Sequence, residues 1–174
     1  MIKDTVEYKL ISQFYGDKVA KRSQVPLMNH IDEGLIVLDR IDATVYAKQA
    51  FCIHPLLQAD EDLKANFNAV AFACSPAVVM LAIEYRSVAN EFLSDKVVGA
   101  TFDDIRLSPL FEVNEMLIAD KIQNRKDFEQ YHLGTHARSD ELDKYFKIWL
   151  QRLGVGKEMY QSMCEGIDNA VHTS

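Results

Sequence analysis

The sequence predicts an all-α protein that folds as a single domain. Its 174 residues suit one domain with a real hydrophobic core, and 48% of them are hydrophobic, too many for a disordered chain. Only seven glycines and four prolines are spread along this length, which favours helices over short strands joined by tight turns. Apolar residues recur at helical spacing, and no alternating strand pattern competes with them. We therefore expect a helical bundle over residues 1–174.

Capping residues and apolar stripes set the expected order of the helices. Thr5 can cap the first helix, and Ser75 caps another that begins with Pro76. Because Pro55 cannot donate a backbone hydrogen bond, the helix before it should end or kink at His54. The expected helices cover about 5–20, 29–40, 45–54, 60–73, 75–93, 112–129 and 139–153, with a short extra helix in the tail and the least regular structure in 94–111.

The charge and the cysteines exclude several classes of function. The formal net charge is −7, which argues against binding to nucleic-acid polymers or to anionic membranes. No apolar run approaches the length of a membrane span, and the first residues lack the apolar core of a signal peptide. Cys52, Cys74 and Cys164 are scattered, which predicts free thiols in a reducing compartment. We therefore expect a cytoplasmic protein, and the sequence leaves the formation of a homo-oligomer open.

Two histidines and a distant aspartate are the residues best suited to hold a metal ion. His30 opens an amphipathic segment, His54 follows an apolar run, and Asp120 lies in a helical segment beside Lys121 and Asn124. Neutral imidazole is a good ligand for Mn, Fe, Zn, Co and Ni. Each residue also has an ordinary structural interpretation: a histidine is often only packed or exposed, and Asp120 could belong to a solvated helix face.

Three stretches of the chain carry these residues. Residues 22–30 read RSQVPLMNH, residues 49–55 read QAFCIHP, and residues 118–127 read IADKIQNRKD. In order and spacing they resemble motifs of the small alarmone hydrolases, the RelA/SpoT-type members of the HD superfamily. That family has an arginine-rich loop with Pro-Tyr-Ile-x-His-Pro, then Ala-Ala-Leu-Leu-His-Asp, then Leu-Ala-Asp-Lys/Arg-Leu-x-Asn-x-Arg. The similarity covers about residues 8–155, which leaves 156–174 as a C-terminal extension.

The resemblance implies a fold, a reaction and roles for particular residues. Members of that family are all-helical, metal-dependent phosphohydrolases of similar size that act on guanosine pyrophosphates. The resemblance implies that His30, His54 and Asp120 are ligands of a divalent metal ion, with Mn²⁺ the expected one, and that the bound molecule is a nucleotide or alarmone. Arg22 would then contact a phosphate or base. The other implied contacts to the nucleotide come from Lys121 and Asn124.

The chain departs from the family pattern at residues that complete the metal site and activate water. The aspartate after the second histidine is Pro55 here, so one carboxylate ligand is missing and the ion is expected to bind weakly. The family's Glu-Asp pair, which activates the attacking water, corresponds to Gln58 and Ala59. Gln58 can hydrogen-bond a water but cannot take its proton at neutral pH. Asp60 lies just beyond, so Gln58 and Asp60 are the catalytic candidates.

Three functions fit these residues. In the first, the chain is an HD-type, metal-dependent phosphohydrolase that acts on a nucleotide such as a guanosine (pyro)phosphate. In the second, it is a catalytically inactive relative that binds a nucleotide or a protein partner without turnover. In the third, only the fold is shared and the chain is a helical interaction module. Metal content separates the first hypothesis from the third, and turnover of a nucleotide panel separates the first from the second.

Overall fold

The computed structural model describes residues 1–96 and 101–172. Within those residues the chain forms eight α-helices and two short 3-10 turns at Ile2–Asp4 and Phe102–Asp104, and its one strand-like pairing is an isolated bridge between Val19 and Pro26. The α-helices are α1 Val6–Tyr15, α2 Met28–Arg40, α3 Val45–Gln58, α4 Asp60–Ala73, α5 Pro76–Glu91, α6 Phe111–Tyr131, α7 Ser139–Arg152 and α8 Lys157–His172. The all-α, single-domain bundle expected from the sequence is confirmed.

The helix α3 lies at the centre of the bundle. It contacts α1, α2, α4, α5 and α6, and its side chains are buried on nearly every face. A helix that is apolar all round has no face suited to water, so the other helices have to surround it. The buried residues of α3 are Ala47, Ala50, Phe51, Cys52, Ile53, His54, Leu56 and Leu57. One histidine is therefore buried at the centre of the molecule.

Two expected helix ends are wrong. The first helix was expected to reach about residue 20, but α1 ends at Tyr15 because Gly16 adopts φ +50°, a left-handed conformation that stops an α-helix. The third helix was expected to end or kink at His54, and it does not end there, because α3 continues through Pro55 to Gln58. Burial of Leu56 and Leu57 stabilises the last turn of α3 beyond the proline. The irregular region expected at 94–111 includes residues 97–100, which lie outside the described residues.

The other expected ends and the tail agree with the sequence analysis. The Thr5 and Ser75 hydroxyls accept hydrogen bonds from the first turns of α1 and α5, as N-cap residues do. Gly154, with φ +73°, follows the end of α7. The segment expected to be an extension forms α8, which packs on α2 and α6 and buries Ile167. Among the described helices, none combines the length and apolar character that crossing a membrane requires.

A glycine allows α2 and α3 to approach closely. Gly34 is buried in α2, and a Cβ atom at this position would overlap the ring of Phe51 on α3. Gly34 lies one helical turn after His30, and Phe51 lies one turn before His54. The contact between Gly34 and Phe51 therefore sets the distance between the helix segments that carry the two histidines.

We expect Gly34→Ala to destabilise the fold and to separate the two histidines. The added methyl group forces α2 away from the Phe51 ring, and overpacking of this kind costs about 1–3 kcal/mol. The measurement is the free energy of unfolding in urea. Gly156→Ala is the matched control, since a Cβ atom at Gly156 would meet nothing within 4 Å. Equal stability of Gly34→Ala and wild type would contradict the assigned contact.

Candidate metal centre

Three side chains from three helices converge at one point. His30 lies in the first turn of α2, His54 near the end of α3, and Asp120 in the middle of α6. The Nε2 atoms of the two histidines are 3.3 Å apart, and the Nε2 atom of His30 is 3.7 Å from Oδ1 of Asp120. One candidate ligand atom from each of the three residues lies within 4.8 Å of the other two. The close approach that the resemblance to the family motifs implies is present.

The orientation of the His30 ring is fixed by a glutamine on α6. The Oε1 atom of Gln123 is 2.7 Å from Nδ1 of His30. The amide nitrogen of Gln123 donates to carboxylate oxygens of Glu33 at 3.1 Å and Asp127 at 2.8 Å. Because those carboxylates accept only, the Gln123 oxygen must face His30 and accept from Nδ1–H. The lone pair of Nε2 of His30 therefore points towards the other two residues.

The orientation of the His54 ring is fixed by the backbone of α3. Its Nδ1 atom is 2.6 Å from the carbonyl oxygen of Phe51, so Nδ1–H donates and Nε2 keeps its lone pair. In a regular helix the carbonyl of residue 51 accepts from the N–H of residue 55. Pro55 has no N–H, so the Phe51 carbonyl lacks that partner. Pro55, which stands where the family motif has an aspartate ligand, therefore leaves the Phe51 carbonyl free to accept the hydrogen bond that orients His54.

Asp120 is held by its own helix. The ammonium group of Lys121 lies 2.9 Å from its Oδ2, and the side-chain amide of Asn124 donates to its Oδ1 at 2.8 Å. Burial alone would raise the pKa of Asp120, but the neighbouring Lys121 ammonium is the main cause that lowers it to about 2. Asp120 is therefore ionised at neutral pH.

Burial decides the charge of His54. The side chain is fully enclosed, and this desolvation, together with the neighbouring His30, lowers the pKa of His54 to about 3. The imidazole is neutral at physiological pH, which is the form that binds metal ions. The Tyr85 ring covers it at a centroid distance of 4.7 Å.

The spacing of the two imidazole nitrogens fits a single divalent ion. With ligand bonds of about 2.1 Å, cis or tetrahedral ligand atoms lie about 3.0–3.4 Å apart, and the two Nε2 atoms at 3.3 Å match this spacing. The 3.7 Å between Nε2 of His30 and Oδ1 of Asp120 is wider than this range, so the carboxylate has to move closer to share the ion. Two lone pairs facing each other beside a carboxylate repel unless a cation lies between them. Hydrogen bonds to the remote nitrogens orient both rings, as is usual for metal-binding histidines. The role of His30, His54 and Asp120 as metal ligands stays a prediction.

A cavity of about 410 Å³ opens onto the three residues. The Lys121 ammonium lies in its wall, where it also bonds the Tyr145 hydroxyl at 3.2 Å. Although burial lowers the pKa of Lys121, the Asp120 carboxylate raises it above its usual range, so the lysine is charged. Behind the site, the Tyr85 hydroxyl is buried beside Asp120, and burial together with that carboxylate raises the pKa of Tyr85.

The remaining expected residues divide between the cavity and the surface. Gln58 and Asn124 line the cavity. Asp60 does not line it: this residue begins α4, is 93% exposed, and pairs with Arg86 on α5. The expectation that Asp60 could serve the site is corrected accordingly, because a helix N-terminus and an arginine both hold its carboxylate outside. Arg22 also lies away from the cavity lining, in a separate hollow with His132 and His136.

Sequence analysis missed the residues that orient the ligands. Gln123 follows Asp120 by three positions and so lies on the same face of α6, a signal that was available from helical spacing. Tyr85 and the Phe51 carbonyl carry no such signal, since only the packing of α3 against α5 brings them to His54.

Comparison with known proteins finds no matching family model, curated protein or solved structure. The resemblance to the alarmone hydrolases therefore depends on the motifs alone, and the geometry of the site carries the functional argument.

We expect Gln123→Met to weaken metal binding while leaving all three ligands in place. Methionine has a similar length but offers His30 no oxygen acceptor, and loss of such a supporting contact typically costs about 10–100-fold in metal affinity. Titration with Mn²⁺ measures the change. Gln161→Met, on the exposed face of α8, is the matched control. Unchanged affinity in Gln123→Met, with wild-type stability, would show that the glutamine does not orient His30.

We expect Pro55→Ala to change the tautomer of His54. The alanine N–H can donate to the Phe51 carbonyl and so competes with Nδ1–H of His54. In the metal-free wild type, ¹⁵N chemical shifts should report protonated Nδ1 and bare Nε2. The variant should show an increased share of the other tautomer, whereas Pro109→Ala should match the wild type. A wild-type spectrum with protonated Nε2 would contradict the proposed orientation.

Proposed function

We propose that this chain is a phosphohydrolase-like protein that depends on a divalent metal ion and binds a small phosphorylated molecule such as a nucleotide. The observation that carries the proposal is the convergence of two imidazole Nε2 atoms and the Asp120 carboxylate at one point. Three protein ligands are fewer than Mn²⁺ or Zn²⁺ coordinates, so positions remain for water and for a ligand oxygen. Open positions are typical of catalytic metal sites and not of structural ones.

The charges and amide groups of the cavity favour a ligand that carries a phosphate group. An ion at this site supplies positive charge that stabilises a phosphoryl oxygen and acidifies water. Lys121 provides a permanent positive charge beside Asp120, in a buried position where electrostatic interactions are stronger than in water. Asn124 and Gln58 offer amide groups in the same cavity. By resemblance, the motif around Asp120 belongs to enzymes that cleave phosphate esters.

A second candidate function is binding without turnover, and it is favoured because the carboxylates in the cavity already have hydrogen-bond and ion-pair partners. Two carboxylates line the cavity, and both are already engaged: Asp120 with Lys121, and Asp127 with Gln123 and Lys126. Gln58 can position a water by hydrogen bonding but cannot accept its proton. A general base typically contributes about 10²–10⁴-fold to a rate, so we expect hydrolysis to be slow.

The metal centre can be tested by substitution. Wild type should bind one Mn²⁺ per chain by calorimetry, and His30→Ala or His54→Ala should abolish that binding. His136→Ala is the matched control, because His136 lies in the separate hollow with Arg22. Because His30 is partly exposed, we expect His30→Ala to fold. His54 is buried, so His54→Ala can fail to fold, and the His30→Ala variant then decides the test. Equal Mn²⁺ binding in wild type and a folded His30→Ala variant would refute the centre.

Turnover separates the two candidate functions. Mn²⁺-loaded wild type is incubated with a panel of nucleoside mono-, di- and polyphosphates, and phosphate release is compared with that of His30→Ala. Release above the level of the variant establishes a phosphohydrolase. Mn²⁺-dependent binding of a nucleotide without any such release establishes a binding protein. A chain that binds neither metal nor nucleotide would be a helical interaction module.

A further inference from the structure

We infer that the ligand of this site carries a single phosphoryl group attached to a compact, largely apolar body, and is not a polyphosphate. This inference rests on the proposed function, since it assumes that an ion and a phosphate meet at the triad. It follows from the charges and the shape of the cavity, and it differs from what the family resemblance implies.

The charged side chains of the cavity are few. Among the described residues that line it, Lys121 is the one lysine or arginine, and the acids are Asp120 and Asp127. These side chains together carry one negative charge, so the cavity with a divalent ion and two neutral imidazoles carries one positive charge. A phosphate monoester carries about 1.5–2 negative charges at neutral pH, which leaves the complex with about one negative charge or less.

Neighbouring cations are directed elsewhere. Arg22 lines the separate hollow with His132 and His136. Arg125 bonds Glu129 at 2.8 Å and lies over the Tyr160 ring, on the α8 side of α6. Lys126 lies 2.9 Å from Glu33 and 3.0 Å from Asp127. None of these three side chains lines the cavity, so among the described lining residues a second or third phosphoryl group has no lysine or arginine besides Lys121.

The small number of lysine and arginine side chains in the cavity argues against a polyphosphate ligand. Each further phosphoryl group adds about one negative charge, and polyphosphate sites usually provide several arginines or lysines to match them. Here the extra charge would meet the Asp127 carboxylate and apolar walls. Burying an unpaired charge costs free energy, so chain elongation should weaken binding and not strengthen it.

Apart from its charged and amide groups, the lining of the cavity suits an apolar or planar group, because it consists mainly of aromatic and aliphatic side chains. The cavity volume of about 410 Å³ is near the lower end of the range for small-molecule sites, roughly 300–1,000 Å³. The apolar lining residues include Tyr15, Val25, Pro26, Leu27, Leu93 and Phe146. A nucleoside monophosphate, or another phosphate monoester with a single ring system, has the matching distribution of charge and apolar surface.

The test measures the affinity of the Mn²⁺-loaded protein for defined phosphates by calorimetry at matched free Mn²⁺. The probes are orthophosphate, pyrophosphate, tripolyphosphate and phenyl phosphate. We expect orthophosphate to bind at least as tightly as the two longer anions. Phenyl phosphate should bind about tenfold more tightly than orthophosphate, because its ring covers the apolar wall.

A charge added to the cavity should reverse the preference. Leu93 lines the cavity and is 38% exposed, so Leu93→Arg places a guanidinium at its edge without burying it fully. We expect the affinity for tripolyphosphate to rise by about tenfold and the affinity for orthophosphate to change much less. Ala69→Arg adds the same charge on the exposed face of α4, outside the cavity, and should leave both affinities unchanged.

The outcomes distinguish this inference from the proposed function. Affinity that increases with each added phosphoryl group in the wild type would overturn the inference and leave the metal-phosphate site intact. Absence of Mn²⁺-dependent binding for all four probes would refute the proposed function itself. If phenyl phosphate binds no more tightly than orthophosphate, the inference that the ligand carries an apolar group is wrong. A flat or falling series with tighter phenyl phosphate binding supports it.

Discussion

The whole site depends on two imidazole nitrogens that face each other across 3.3 Å. For two neutral imidazole rings this arrangement is unfavourable, because the lone pairs of the two Nε2 atoms repel each other. Neither Nε2 atom can donate a hydrogen bond to the other while both Nδ1 atoms carry the proton. The arrangement persists because each ring is held from behind, His30 by Gln123 and His54 by the Phe51 carbonyl. The protein thereby offers converging electron pairs, together with the Asp120 carboxylate, to whatever cation enters.

Features that look unfavourable in isolation contribute to this arrangement. A proline within a helix removes a hydrogen bond, yet Pro55 leaves the acceptor that His54 uses. A glycine within a helix lowers its stability, yet Gly34 allows α2 to lie against Phe51. Burial of a charged lysine is costly, yet Lys121 keeps Asp120 ionised beside the histidines. Departures from simple helix rules are expected where a site is built.

Most of the fold was accessible from the sequence, whereas helix ends were predicted less well. Caps such as Thr5 and Ser75 act through neighbouring backbone groups, so their effect can be inferred locally. The end of α3 could not be inferred in this way, because burial of Leu56 and Leu57 stabilises the turn after Pro55. Asp60 was misjudged for a related reason: its proximity in sequence to Gln58 said nothing about Arg86, which holds it at the surface.

The sequence by itself determined the helical class and the residue types that could bind a metal, because helical periodicity and side-chain chemistry are local properties. It also placed Asp120 and Asn124 on one helix face, since residues three or four apart on a helix are neighbours. Only the tertiary structure decided that His30 and His54 meet, which nitrogen each presents, and that Arg22 and Asp60 lie outside the cavity. Those outcomes depend on contacts between helices far apart in the chain, and no local pattern encodes such contacts.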